Sequence, residues 1–167
     1  MLNLLRKSAA RKALGLFLYG ELITRARAPV FFREFGVADT IDGRFDLVAL
    51  HGWLALEHLE GEAAQALTDA IFIGFDEAMR EQGQGDMGLG RKIRQFADAW
   101  YGRLAAYSTA PDVYVLAAAL ARNLYRGAAL DDRAISLAEY AFAAREYMRY
   151  APAAALDFGP LPVLGLS

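Results

Sequence analysis

The chain has 167 residues, a formal net charge of −2 and 56% hydrophobic residues, a length that allows one domain with a substantial core. Cysteine is absent, which excludes disulfides, thiolate metal sites and a cysteine nucleophile. No segment alternates apolar and polar residues over a useful length, so strands are not expected. The composition, with its many alanines, therefore predicts an all-α, single-domain bundle of about six to seven helices.

The first segment, residues 1–28, is predicted to be a basic helix on an acidic body. Up to this point Glu21 is the only acid, and the cations are Arg6, Lys7, Arg11, Lys12, Arg25 and Arg27. Such a segment suggests a polyanionic neighbour, either an anionic lipid surface or RNA. The cations are spread around the helix, which argues against a membrane-surface helix and leaves a membrane-peripheral scaffold as an alternative function. The apolar run is too short for a transmembrane helix, which needs about 20 residues.

The body of the chain, residues 29–150, opens with a short helix that starts at Pro29 and is closed by Gly36. Thr40 or Asp42 is positioned to cap the next helix, which runs to about residue 59. This helix carries apolar residues on nearly every side, a pattern typical of the buried centre of a bundle.

The apolar periodicity and the helix-capping residues in the second half of the body predict four more helices. The first runs from residue 62 to about 82 and carries an apolar residue at every fourth position. A glycine-rich stretch then leads into an amphipathic helix that reaches Tyr107. Two further helices are expected, one started by Pro111 and Asp112 and one capped by the pair Asp131 and Asp132. Residues 151–167 form an apolar, extended tail.

The glycine-rich stretch contains Gly83, Gly85 and Gly88 at the G-x-G-x-x-G spacing of a dinucleotide-binding turn. That turn needs a strand before it, whereas here a helix precedes it, and the Gly-Lys-Ser/Thr ending of a P-loop is missing. A helix–loop–helix connection is favoured, in which Gly83 ends one helix and Asp86 caps the next. Gly88 and its neighbour Gly90 are expected to let another segment approach closely.

The two histidines, His51 and His58, do not suggest a metal centre. They lie seven residues apart on one helix, which separates them by about 10 Å along the axis. A buried, hydrogen-bonded His51 and a more exposed His58 are expected. No catalytic residue, metal or cofactor is predicted. A small-molecule or cofactor binder that uses the glycine loop and His51 remains an alternative function.

Four stretches together resemble one known family. They are "FFREFGVADTIDGRFDLVALH", "FDEAMREQGQGDMGLGRKI", "WYGRLAAY" and "LARNLYRG". Their order and spacing, from about Pro29 to about Tyr150, are similar to the ubiquinol–cytochrome c chaperone family, the assembly factors of the cytochrome bc1 complex. The chain departs from the family pattern at Trp100, where phenylalanine is expected, and at Gln84, where an aliphatic residue is usual.

The resemblance implies an all-helical, non-catalytic chaperone that binds newly made cytochrome b at the membrane. The chain has no long presequence, so a bacterial member is expected, acting in the cytoplasm at the periphery of the inner membrane. Mitochondrial members work with a small partner protein near the ribosomal exit, and these contacts do not carry over automatically to a bacterial chain. No DNA partner is expected.

The client is expected to bind in a groove bounded by the glycine loop and the two helices that the loop joins. The candidate residues for this groove are Phe72, Phe75, Met79 and Trp100 as walls, Arg80, Arg91 and Arg103 as a polar rim, and Asp86 from the glycine motif. In the alternative interpretation, the walls belong to the core and the arginines only form ion pairs.

Overall fold

The computed structural model describes residues 2–81, 83, 86–153 and 155–165, with the side chains of all of these except residues 2, 3, 86, 87 and 89. This part of the chain contains helices and no strand, which confirms the all-α bundle. The helices are α1 (Leu2–Ala26), α2 (Pro29–Arg33), α3 (Ile41–His58), α4 (Gly61–Glu81), α5 (Asp86–Ser108), α6 (Val113–Asn123) and α7 (Asp132–Met148).

The centre of the bundle is α3, as its all-round apolar pattern predicts. Every residue from Phe45 to Ala55 is buried, and the helix contacts α1, α5 and α7. Thr40 rather than Asp42 caps it, because the Thr40 hydroxyl accepts a hydrogen bond from the Gly43 amide at 3.2 Å.

The basic helix α1 packs along α4 through its C-terminal half. Leu18 and Leu22 are fully buried, and a Cβ atom on Gly15 would lie 2.4 Å from the carbonyl oxygen of Ala66. The backbones of α1 and α4 can therefore approach closely only because residue 15 is glycine. In contrast, every residue from 4 to 13 is exposed.

The last two helices, α6 and α7, pack against each other and are both capped by aspartate. Asp112 accepts a hydrogen bond from the Val115 amide, and Asp131 accepts one from the Ala134 amide. The tail after α7 is extended where the structure describes it, and it returns Leu156 and Phe158 to the core.

The glycine stretch is a connection between two helices. Gly83 has a left-handed backbone (φ +73°), and its amide donates to the Arg80 carbonyl as α4 ends. A helix precedes it, so the context of a dinucleotide-binding turn is missing. Gly85 and the predicted cap by the Asp86 side chain lie outside the described residues.

The close approach predicted at Gly88 and Gly90 is wrong. No described atom lies within 4 Å of a Cβ atom built on either residue, and the same holds for Gly102 in the middle of α5. The close contacts lie inside other helices, for example at Gly52 of α3, where an added Cβ atom would lie 2.3 Å from the Trp100 ring.

Candidate functional site

An open groove of about 400 Å³ lies where the N-terminus of α3 meets the C-terminal half of α4 and the middle of α5. Arg126, in the loop between α6 and α7, also contributes to the lining. The groove is lined by Ile41, Asp42, Phe45, Phe75, Ala78, Met79, Lys92, Gln95, Phe96, Ala99, Arg103 and Arg126.

Three phenylalanines from three helices form the floor of the groove. The ring centroids of Phe75 and Phe96 are 3.8 Å apart, and Phe45 lies 4.6 Å from Phe96 and 5.5 Å from Phe75. Such clustered rings bury a large apolar area and hold one another in place. Phe45 is buried, whereas the other two are half-buried and present apolar surface to the opening.

A buried ion cluster supports the groove from below. The carboxylate of Asp46 is fully buried; its Oδ1 lies 2.5 Å from Nε of Arg103 and its Oδ2 lies 2.8 Å from Nη2 of Arg126. Burial raises the pKa of the Asp46 carboxyl above its ordinary value, while the two guanidinium groups oppose this shift. Both arginines also line the groove. The buried carboxylate of Asp46 therefore holds their N–H donors at the wall of the groove.

The two arginines are fixed by further contacts. The guanidinium carbon of Arg103 lies 4.7 Å from the ring centroid of Phe45, and its Nη1 donates to the Ala99 carbonyl at 3.2 Å. Nη1 of Arg126 donates to the Asn123 carbonyl at 2.6 Å, and the residue has a left-handed backbone (φ +56°), which is uncommon for a residue other than glycine. Strained backbone of this kind persists where the surrounding contacts require it.

Three of the sequence stretches quoted above meet at this cluster. "FFREFGVADTIDGRFDLVALH" supplies Asp46, "WYGRLAAY" supplies Arg103 and Tyr107, and "LARNLYRG" supplies Arg126. Tyr107 is fully buried beside them, and burial together with the charge of Asp46 raises the pKa of its hydroxyl. Three of the four stretches that carry the resemblance therefore contribute residues to the support of the groove.

The structure brings part of the predicted set together. Phe75, Met79 and Arg103 line the groove. Phe72 lies behind the floor, with its ring centroid 5.9 Å from that of Phe96. Trp100 does not form a wall: it is fully buried and fills the space left by Gly52, so it belongs to the core.

The predicted rim is less well assembled. Arg80 is exposed, and its Nε donates to Asp76 one turn earlier at 2.9 Å. Arg91 is exposed on the first turns of α5 and is not among the lining residues. The side chain of Asp86 lies outside the described residues.

Sequence reasoning missed several residues that line the groove. Ile41 is a large apolar residue that is 57% exposed at the start of α3, and Lys92 and Arg126 supply cations from α5 and from the α6–α7 loop. A signal existed for Arg126, because it lies in one of the four recognised stretches. No pattern along the sequence indicated that α3 would bring Ile41 to the same opening.

His51 is an interior residue, as expected from the sequence. Its Nδ1–H donates to the Leu47 carbonyl at 2.7 Å, and the Tyr140 hydroxyl donates to Nε2 at 2.9 Å. Burial lowers the pKa of His51 to about 4. His58 is more exposed and contacts the Pro152 carbonyl at 3.1 Å. Both histidines thus tie α3 to other elements.

The described part of the chain contains neither a metal-binding cluster nor a membrane-spanning helix. Within those residues no group of histidine, aspartate and glutamate side chains has a geometry that could hold a metal ion. None of the described helices combines the length and the hydropathy that crossing a bilayer requires.

Comparison with known proteins gives two matches. A family model described as "Ubiquinol-cytochrome C chaperone" matches residues 33–161, which include the whole groove. Among solved structures, the chain is similar to one described as the crystal structure of the Cbp3 homolog from Brucella abortus, with 34% identity and a TM-score of 0.78 over 91% of this chain and 90% of that chain. No curated protein matches the chain.

Proposed function

The chain belongs to the ubiquinol–cytochrome c chaperone family, and we propose that it is a non-catalytic assembly chaperone whose client is newly synthesised cytochrome b of the cytochrome bc1 complex. In this proposal it works in the bacterial cytoplasm at the periphery of the inner membrane. The observation that carries the proposal is the groove with the phenylalanine floor and the two anchored arginines.

The groove has the properties that a holder of an apolar segment needs. A protein that binds such a segment must expose apolar surface while charged residues around it maintain solubility. Phe75 and Met79 offer this surface, Ile41 extends it, and Lys92 and Asp42 lie among the lining residues. Methionine is flexible and adapts to irregular apolar partners.

The anchored arginines add a polar complement to the apolar floor. The last carbonyl groups of any helix lack partners within that helix, and the C-terminal end of a helix carries a partial negative charge. Guanidinium groups of Arg103 and Arg126 can donate to such carbonyls at the end of an unassembled helix. Because Asp46 holds both groups in place, little conformational entropy is lost when the client binds.

Crosslinking tests this proposal directly. A photoreactive amino acid at Met79 in the groove should trap cytochrome b in growing cells. The same amino acid at Tyr114, which is 67% exposed on α6 and is not among the groove-lining residues, is the matched control and should not. Equal adducts from both positions, or adducts only to unrelated abundant proteins, would contradict the groove as the client site.

The amount of assembled cytochrome bc1 complex tests the wider role. Cells that lack this chain should contain much less assembled complex, and expression of the intact chain should restore it. Normal amounts of complex without the chain would reject the assembly function, whatever the crosslinks reveal.

A further inference from the structure

The N-terminal half of α1 presents an apolar row to solvent. Leu5, Ala9, Ala13 and Phe17 follow one another at intervals of four, which places them along one line of the helix. All four are exposed, Leu5 at 64% and Phe17 at 58%. Leu16 lies beside this row and is 52% exposed.

This row faces away from the bundle. A helix turns about 100° per residue, so residues nine positions apart point in opposite directions. Ala9 is therefore opposite Leu18, and Ala13 is opposite Leu22. Leu18 and Leu22 are fully buried in the core, so the fold itself uses the other side of α1 and leaves the apolar row uncovered.

The charges around the row are all positive as far as residue 20; Glu21, four residues after Phe17 on the same line of the helix, follows the row at its C-terminal end. From residue 2 to residue 20 the helix contains four cations and no acid. Arg6 and Lys12 flank the row on its two sides. Arg11 pairs with Asp69 of α4 at 3.1 Å, and Lys12 and Leu16 also border the cavity beside α4 that Asp69 and Glu77 line. The four cations are spread around the helix, as the sequence indicates, but two of them lie beside the apolar row, and an apolar row with cations beside it is the pattern of a helix that lies in a membrane interface.

We propose that this face of α1 docks onto the surface of an anionic lipid bilayer. Leu5, Leu16 and Phe17 enter the boundary between headgroups and acyl chains, and Arg6 and Lys12 contact the lipid phosphates. RNA is the less suitable polyanion, because it would engage the cations and leave the leucines and the phenylalanine in water. The proposal rests on the peripheral membrane location proposed above and assigns the residues that produce it.

Vesicle flotation with the full chain tests this docking. The chain should float with vesicles of phosphatidylcholine mixed with phosphatidylglycerol, and less with phosphatidylcholine alone or at high salt. The double substitution Leu5→Ser with Phe17→Ser should lower the affinity for the mixed vesicles roughly tenfold or more, because two large apolar side chains no longer leave water. Both residues are exposed, so the melting temperature should stay unchanged.

The matched control replaces two exposed apolar residues elsewhere, Tyr114→Ser with Val115→Ser on α6, and should float like the parent chain. Absence of flotation with the mixed vesicles would overturn the proposal, as would equal loss in both double variants. Stronger binding to an RNA fragment than to vesicles, sensitive to Arg6→Glu with Lys12→Glu but not to the serine variant, would also overturn it. Flotation is measured without client. A chain that does not float would therefore reject the lipid-docking proposal alone, while crosslinking from Met79 tests client binding independently.

Discussion

Nε of Arg103 in α5 lies 2.5 Å from Oδ1 of Asp46 in α3, although the two residues are 57 positions apart in the chain. This contact joins the central helix to the helix that forms one wall of the groove. Arg126 completes the cluster from the α6–α7 loop. Three separate segments are thus tied to one buried carboxylate directly under the proposed client site.

Replacing Asp46 with alanine should destabilise the fold by about 2–4 kcal/mol, because removal of a buried acid leaves its arginine partners without compensation. Arg126 is half-exposed and can turn to water, so the loss stays below the full cost of a buried pair. Urea unfolding measures the change. Asp39→Ala is the control: its pair with Arg44 is exposed to solvent, so its loss should change the free energy of unfolding much less than the loss of Asp46.

The dependence of the free energy of unfolding on pH should reflect the titration of the buried His51 side chain. Burial lowers the pKa of His51 from 6.5 to about 4, so between these values the unfolded chain binds more protons than the folded chain. Stability therefore falls as the pH drops from about 7 to 4, by about 3 kcal/mol from this residue. Unfolding by urea at a series of pH values measures it.

The variant His51→Gln isolates this contribution, because glutamine does not titrate. The difference between the parent chain and the variant should shrink or reverse toward pH 4. Asp131 and Asp39 have pKa values lowered from 3.8 in the folded state. Their contributions to stability are therefore lost only below about pH 3.8, outside the range from pH 7 to 4. Burial raises the pKa of Asp46, so above pH 3.8 this residue makes the folded state more stable as the pH falls. Both proteins contain Asp46, so its contribution cancels in the difference between them. A constant difference across the window would contradict the assignment.

Gly52 and Gly102 should respond in opposite ways to alanine. A Cβ atom at position 52 would lie 2.3 Å from Cη2 of Trp100, and overpacking of this kind typically costs about 1–3 kcal/mol. At Gly102, on the exposed side of α5, no described atom lies within 4 Å, so alanine should stabilise the helix by about 0.5–1 kcal/mol. Thermal unfolding of the two variants measures both effects, and similar shifts of one sign would contradict this packing.

The positions of these glycines show what sequence reasoning could and could not predict. Helix existence follows from apolar periodicity, and the caps at Thr40, Asp112 and Asp131 follow from side-chain chemistry within three residues. Close contact between helices depends on which residue lies opposite in space. The loop glycines form a recognisable motif because they lie close together in the sequence. The close contact, however, is made at the isolated Gly52, which accommodates the Trp100 ring.

The same limit explains the partial success at the groove. Phe96 and Trp100 are four residues apart on one apolar row of α5, so the sequence gives them the same character. Only the position of α3 decides that Phe96 reaches the groove and that Trp100 is fully covered. Met79 and Phe75 could be predicted because both lie on the exposed end of the regular row in α4. Ile41 could not, since most of the groove is lined by residues of α4 and α5, which are distant from it in sequence.

Ile41→Asp should separate client binding from stability. Ile41 is 57% exposed, so a charge at this position should change the free energy of unfolding by no more than about 0.5 kcal/mol. The same charge at the mouth of the groove must lose hydration when an apolar segment binds, which should weaken crosslinking of cytochrome b from Met79 and lower the amount of assembled bc1 complex. Val163→Asp, in the tail at 81% exposure, is the control and should preserve both. If Ile41→Asp retains crosslinking and assembly at the level of Val163→Asp, the client does not enter the groove at this end.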